Sequence, residues 1–317
     1  MVPAGPVMDT QPRLPVRGRG PWRLVLHQVR CDLRVLGRNR QVRSFTLAMP
    51  IGLLVIFVAI FGNYQIRVEG HSLKESTYYV ANLIAFGIVN AAFMSLGIAM
   101  VGQREAGLLK RRRATPEPAW VLVVGKALTA TLGSLLIAAV LIAFSWIAYS
   151  ATVPLQTAVA LAVTIVIGTI AFCALGFAAS TMVQSADAAQ PVIGALAMPL
   201  FFFSGVFIPW PLIPPWLREI AVVFPVRHFA RAVLLPFDPR TAGSGFAWGD
   251  LAIVGLWGLV GLGLAVRRFT WSPRVESSWQ GRTLAHRMTG LLNGLFDRVR
   301  SPKAPTAAED GTVGRLG

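Results

Sequence analysis

The sequence predicts an all-α membrane protein with six transmembrane helices, an interfacial amphipathic helix ahead of them and short re-entrant helices between the last two spans. Three observations carry that prediction. Hydrophobic residues make up 54% of the 317-residue chain and charged residues only 14%, against about 25% charge in an ordinary soluble domain. Six apolar runs are present, each reaching the roughly 20 helical residues that cross a hydrocarbon core. The net charge of +16 comes from Lys and Arg gathered at the ends of those runs. A basic face on a soluble fold would point to nucleic acid, whereas this distribution is one of membrane topology and excludes nucleic acid as the expected partner.

Residues 1–20 are rich in Pro, Gly and Arg, the composition of a disordered tail. They lack a compact apolar core followed by a small-residue cleavage site, so no cleaved signal peptide is expected. From Pro21 the pattern changes. Trp22, Leu26, Val29, Leu33 and Leu36 recur at alternating spacings of four and three, with Arg23, His27, Arg30 and Arg34 on the adjacent stripe. That is an amphipathic helix within residues 21–43, suited to the headgroup layer of a lipid membrane. A soluble helix packed on a partner protein would carry the same stripe, and the span that follows directly favours the interface.

The membrane domain is expected over residues 44–266, with spans at 44–62, 78–101, 119–150, 156–183, 190–210 and 248–266. The third and fourth exceed the required length and should tilt or project beyond the lipid. Pro50 and Pro199 lie inside spans, where a kink is expected. Between the second and third spans, the charged stretch from Gly102 to Pro118 reads as a helical turn or two on the membrane surface, followed by a proline-broken return.

Orientation follows from the basic residues. The arginines before the first span, the run Lys110–Arg113, and the tail 267–317 with Arg267 and Arg268 are expected in the cytoplasm, as are both termini. Within that tail, Leu284, Met288, Leu291, Leu295 and Val299 mark a second amphipathic helix. The fifth connection sits awkwardly, because Arg218, Arg227, Arg231 and Arg240 exceed Glu219 and Asp238, yet parity places it outside. Its stretch from Pro209 to Leu217 is too rich in proline for a continuous helix. Residues 216–224 and 226–235 are apolar but too short to span, and read as short outer helices anchored by Trp210 and Trp216.

Catalytic constellations are scarce. His27, His71, His228 and His286 are scattered, Cys31 and Cys173 have no partner at metal or disulfide spacing, and no G-x-S-x-G elbow occurs. No catalytic residue, metal site or cofactor is expected in the chain. Lys126 and Asp250 are the ionisable residues inside the spans, each near a membrane face, and read as anchors that snorkel. A proton- or sodium-driven transporter needs a titratable or coordinating group near the midplane, and none is evident. A G-x-x-x-x-G-K-[ST] loop is also missing, since Gly102-Gln-Arg-Glu-Ala-Gly107 is followed by Leu-Leu. If ATP drives this protein, another polypeptide hydrolyses it.

Two motifs carry a resemblance. Arg104-Glu-Ala-Gly-Leu-Leu-Lys-Arg-Arg-Arg-Ala-Thr-Pro116, leading through Pro118 to Gly125-Lys126, resembles the cytoplasmic motif of ABC-2 type transporter permeases. That group includes daunorubicin-resistance and polysaccharide-export membrane subunits. Met198-Pro-Leu-Phe-Phe-Phe-Ser-Gly-Val-Phe-Ile-Pro209, with Pro214-Pro-Trp-Leu-Arg218 and Phe224-Pro-Val-Arg-His228, resembles that family's fifth span and its proline-rich outer segment. Together they cover roughly residues 20–270 in architecture. One departure is the uninterrupted run Lys110–Arg113, where the family mixes in an acidic or neutral residue; an acidic groove or an anionic lipid surface would be its counterpart.

The resemblance implies a permease of six spans in a bacterial-type plasma membrane, paired with a second copy or a paralogue and with two cytoplasmic ATPase subunits that hold ATP and Mg. Segment 103–113 would be the coupling helix, with Arg104, Glu105, Gly107, Leu108, Lys110, Arg111, Arg112 and Arg113 as its ATPase-coupling residues. Helix 22–36 would be the connecting helix, through Trp22, Leu26, Val29 and Leu33. Segment 209–235 would help form an outer gate, and Phe201, Phe202, Phe203, Ser204, Gly205, Phe207 and Pro209 are its gate or substrate-path candidates. The aromatic cluster suits stacking of an apolar substrate, and suits lipid contact or dimer packing equally. The expected function is ATP-driven export of a hydrophobic drug, antibiotic or lipid-like product. Export of a polysaccharide or glycolipid, and a non-transporting membrane scaffold, are the alternatives.

Overall fold

The computed structural model describes residues 20–38, 40–61, 64–68, 71–108, 119–150, 153–238 and 244–268. The tail before Gly20, the run Lys110–Arg113 and the stripe from Leu284 to Val299 lie outside them. Among the described residues, five helices are long and apolar enough to cross a membrane, and a sixth crossing arises if one sharply bent pair is a single span.

Helix α1 (Pro21–Arg38) opens on a proline, whose missing amide hydrogen costs nothing in a first helical turn. Helix α2 (Arg40–Phe61) holds the first expected span and runs through Pro50, with Ala48–Phe61 as its apolar stretch. The chain then departs from the all-helical expectation. Strands β1 (Gln65–Val68) and β2 (His71–Lys74) form an antiparallel hairpin, with Gln65 opposite Lys74 and Val68 opposite His71. Their alternation is only four residues long, too brief to stand out from a loop by pattern alone.

Helix α3 (Glu75–Glu105) is the hub of the bundle and overruns the expected 78–101 at both ends. All its residues from Glu75 to Val89 are buried, among α2 and three helices that follow, so it shows no amphipathic face. Its turn at Asn90–Ser95 widens into a π-helix. The carbonyls of Ala92 and Phe93 in that bulge lie where a Cβ on Gly176 would fall within 3 Å, so a glycine is needed for the approach.

Helices α4 (Ala119–Tyr149), α5 (Leu155–Met182) and α6 (Ala186–Phe203) follow as an up, down, up succession. The fifth expected span, 190–210, thus starts earlier and stops sooner. Its helix ends where Ser204 donates its amide to Leu200 O at 3.1 Å and Gly205 turns to a φ of +85°. Such a left-handed residue closes helices, and glycine takes it without strain. Helices α7 (Pro215–Ala221) and α8 (Pro225–Leu234) form the bent pair, at 93°. Each begins at a proline. Helix α9 (Trp248–Arg268) returns along α5.

Small residues set the spacing between these last helices. Cβ atoms on Gly258 and Gly261 would stand within 3 Å of the α5 backbone at Ala171 and Leu175. Gly168 leaves room for the Phe229 ring, which fixes α8 against α5. The bundle therefore has a basic end, where α3 and α5 finish and α6 begins, and a proline-rich end with the hairpin, α7 and α8.

Candidate functional site

At the basic end, the last two residues of α3 reach across to the elbow between α5 and α6. Arg104 is only 4% exposed. Its guanidinium donates to Ser180 O at 3.1 Å, to Val183 O at 2.5 Å and to Gln184 O at 3.2 Å. Ser180 O is one of the closing carbonyls of α5, which have no partner within the helix, and Val183 O and Gln184 O belong to the elbow that follows it. Glu105 turns to the other side of the elbow and accepts the amide hydrogen of Ala186, the first residue of α6. The amide of Gly107 closes back on Arg104 O at 3.1 Å with a φ of +69°, and α3 stops there. Within the expected coupling segment 103–113, the described residues thus hold a turn at Ala106–Gly107. Leu108, just beyond, is 45% exposed, and Lys110, Arg111, Arg112 and Arg113 lie outside the described residues.

The connecting-helix residues divide. Val29 is buried with Val25 against Val121 of α4, while Trp22, Leu26 and Leu33 are exposed. Trp22 also meets Trp120 edge to face, at 5.6 Å between ring centres. Asp32, partly exposed, continues the flank of buried Val25 and Val29 at spacings of four and three, and lies 3.0 Å from Lys126. Lys126, read from the sequence as an anchor near a membrane face, is held here by a carboxylate of α1. A partly buried ammonium is stabilised by an adjacent anion.

At the proline-rich end, the run of phenylalanines also divides, because successive helical residues point about 100° apart. Phe201 is buried, edge to face with Phe86 at 4.8 Å, while Phe202 is exposed and Phe203 and Phe207 are partly buried. Phe207 contacts Phe57, Phe86, Phe201 and Phe202. Ser204, Gly205 and Pro209 are buried, and the Tyr78 hydroxyl donates to Gly205 O at 2.5 Å. These gate candidates include an inner packed layer as well as an outer surface.

Sequence reasoning missed a charged group in the same region. Asp250 has a side chain 8% exposed, with Oδ1 2.7 Å from His228 Nδ1 and Oδ2 3.3 Å from Arg231 Nη1. The other His228 nitrogen lies 2.7 Å from Val222 O, in the turn between α7 and α8. Asp250 is therefore a buried partner and not a snorkelling anchor. A cavity of about 470 Å³ adjoins this group, walled by Leu73, Leu234, Trp248 and Ile253 among others. The available signal was an acid in the first turn of an apolar helix, which is costly unless paired.

The same geometry accounts for three arginines of this connection, Arg240 lying outside the described residues. Arg227 lies over the Trp210 ring at 3.7 Å, Arg218 donates to Ile213 O at 2.6 Å, and Arg231 meets Asp250. These contacts are local, so the basic surplus of the segment has a structural use independent of topology.

A family model described as ABC-2 type transporter matches residues 28–237. YbhR of Escherichia coli (strain K12), whose name describes a multidrug ABC transporter permease, is 26% identical over 159 residues, which is 50% of this chain and 43% of YbhR. YvfS of Bacillus subtilis (strain 168), named as a transport permease, is 24% identical over 196 residues, covering 62% of this chain and 78% of YvfS. The match to YbhR spans less than half of that protein. The family match takes in the Arg104–Glu105 joint, the phenylalanine run and the α7–α8 pair, and stops short of Asp250.

Proposed function

The chain belongs to the ABC-2 type transporter family, and we propose that it is the permease subunit of an ATP-driven exporter of hydrophobic small molecules such as drugs, antibiotics or lipid-like products. It works in a plasma membrane with its basic end in the cytoplasm, together with two ABC ATPase subunits and a second permease copy or paralogue. ATP and Mg are held by the ATPases. Closure of the ATPase pair pushes on the segment after α3, and the spans switch access by near rigid-body motion.

The observation that supports this reading most directly is the end of α3 at Gly107. Leu108 stands exposed at the basic end, two residues ahead of the run Lys110–Arg113. An apolar side chain followed by four cations suits a cleft with an apolar floor and an acidic rim. In the same reading, Trp22, Leu26 and Leu33 of α1 rest in the headgroup layer. Val192, Leu196 and Phe202, exposed on α6, supply the apolar wall that a substrate or a second permease copy would meet.

The test begins with purification of the chain from its native host. Mass spectrometry should find an ABC ATPase and a second permease copy or paralogue in the complex. Leu108→Glu, and reversal of charge at Lys110–Arg113, should each weaken permease-dependent ATP hydrolysis by about tenfold. Hydrolysis unchanged in both variants, or purification without an ATPase, would remove the reading.

A further inference from the structure

Resting on that permease reading, we propose that Arg104 and Glu105 form a two-pole clasp that ties the end of α3 to the α5–α6 elbow and transmits displacement of the coupling segment to both helices, instead of touching the ATPase themselves.

The argument starts from helix electrostatics. The carbonyl end of a helix carries a partial negative charge and the amide end a partial positive one. Helices α5 and α6 are joined by only Val183, Gln184 and Ser185, so the negative pole of one and the positive pole of the other lie side by side. One position of each sign on α3 meets this pair of poles. Arg104 lies against the carbonyls of Ser180, Val183 and Gln184, and Glu105 against the amide of Ala186.

Local chemistry prepares the site for both. Ser180 and Thr181 donate their hydroxyls to Phe177 O at 2.6 Å and Ala178 O at 2.7 Å, which occupies carbonyls of the preceding turn. The later carbonyls are left for the guanidinium. A planar fork with five donors can cover oxygens spread from Ser180 to Gln184, whereas an ammonium is a point charge on a flexible stem. On the α6 side, the Ser185 hydroxyl accepts from Ala188 N at 3.4 Å, so Glu105 serves a different amide of the same first turn.

The location makes the clasp a transmission element. Gly107 ends α3 directly after it, so the clasp is the last described joint ahead of the segment that would receive the ATPase stroke. Helix α5 is packed on α9 through Gly258 and Gly261, and α6 carries Phe201 at its far end against Phe86. Movement of the joint would therefore act on the basic ends of two long helices whose other ends reach the aromatic cluster and the α7–α8 pair.

The experiment uses the full chain in nanodiscs, alone and with its ATPase, and reads amide hydrogen exchange. Glu105 is exposed, so its replacement leaves the fold intact. In the permease alone, Glu105→Ala should speed exchange at the Ala186 amide by about tenfold, and Glu105→Gln by less, because an acceptor oxygen remains. In the complex, trapping with ATP and vanadate should change exchange over residues 180–188 of the wild type. With Glu105→Ala, or with the swap R104E/E105R, the ATPase should still co-purify while that nucleotide response falls by about tenfold.

Equal Ala186 exchange in wild type and Glu105→Ala would overturn the clasp. A full nucleotide response in the variants would overturn the transmission, and loss of the ATPase from Glu105→Ala would make Glu105 a contact residue after all. Failure of the wild type to bind any ATPase would overturn the permease reading and the transmission with it, while the Ala186 comparison would still decide the clasp.

Discussion

The two ends of the bundle hold charge in different ways. At the basic end, Arg104 and Glu105 meet main-chain groups, the carbonyls that close α5 and the amide that opens α6. At the proline-rich end, Asp250 meets other side chains, His228 and Arg231, beside a cavity. Main-chain poles are fixed by the helices that carry them and have no rotamers. Side-chain partners can turn, exchange and admit water. The contrast gives each end its own dependence on side-chain identity, and substitutions at each end should behave accordingly.

The largest effect is expected at Asp250. Asp250→Ala leaves the His228 and Arg231 groups facing a vacated acceptor, and removing one partner from a buried pair costs about 3 kcal/mol. Thermal unfolding in detergent, followed by tryptophan fluorescence, should register the loss, and Asp250→Asn should recover part of it by keeping one acceptor oxygen. An unaltered midpoint for Asp250→Ala would mean that side-chain pairing does not hold this end.

Arg104→Met should come next, at about 2 kcal/mol, since hydrogen bonds from a charged donor to several carbonyls are lost together. The lysine variants sharpen the comparison. Arg104→Lys should recover less than half of that loss, because an ammonium cannot span the set of carbonyls. Arg231→Lys should stay within about 0.5 kcal/mol of the wild type, because this group is half exposed and an ion pair screened by solvent contributes little whichever cation makes it. If both lysine variants were tolerated equally, the distinction between the ends would collapse.

This contrast was only half legible in the sequence. Apolar runs announce spans because lipid leaves few alternatives to a helix of about 20 residues. They do not announce which charges belong to a span. Glu75 and Arg104 look like stops, yet both are buried within α3, so the helix is longer than its apolar core. Asp250 and Lys126 look like anchors because a sequence shows a charge without its partner. The partner of Lys126 lies on α1, and His228 is 22 residues from Asp250 across a helix end and a loop. The Arg104 contact to Ser180 spans 76 residues and lands on carbonyls, which leave no trace in residue identity. The phenylalanine run was legible as a cluster but not as an inner ring and an outer one, since that division depends on how α6 is rotated.

Gly107 tests a smaller share of the basic end. Its φ of +69° is a left-handed conformation that costs an alanine about 1 kcal/mol and an asparagine less. Gly107→Ala should lower both stability and ATPase coupling, and Gly107→Asn should restore both. Restoration of stability without coupling would show that the glycine does more than end α3.

The smallest effect is expected where the two modes meet. Asp32 and Lys126 join α1 to α4 at 3.0 Å, with each side chain 17% exposed, and Gln28 also donates to Asp32 at 3.0 Å. A pair this close to solvent contributes less than about 1 kcal/mol, so Lys126→Met should barely move global unfolding. The burial of Val25 and Val29 against Val121 should keep α1 in place. Local opening is another matter, because α1 has few buried contacts and its release need not unfold the bundle. Amide exchange along residues 21–38 should therefore quicken several-fold in Lys126→Met while exchange in α5 stays unchanged. If α5 quickened equally, α1 would be part of the same cooperative unit as the clasp, and the basic end would be held by side-chain pairing as well as by helix poles.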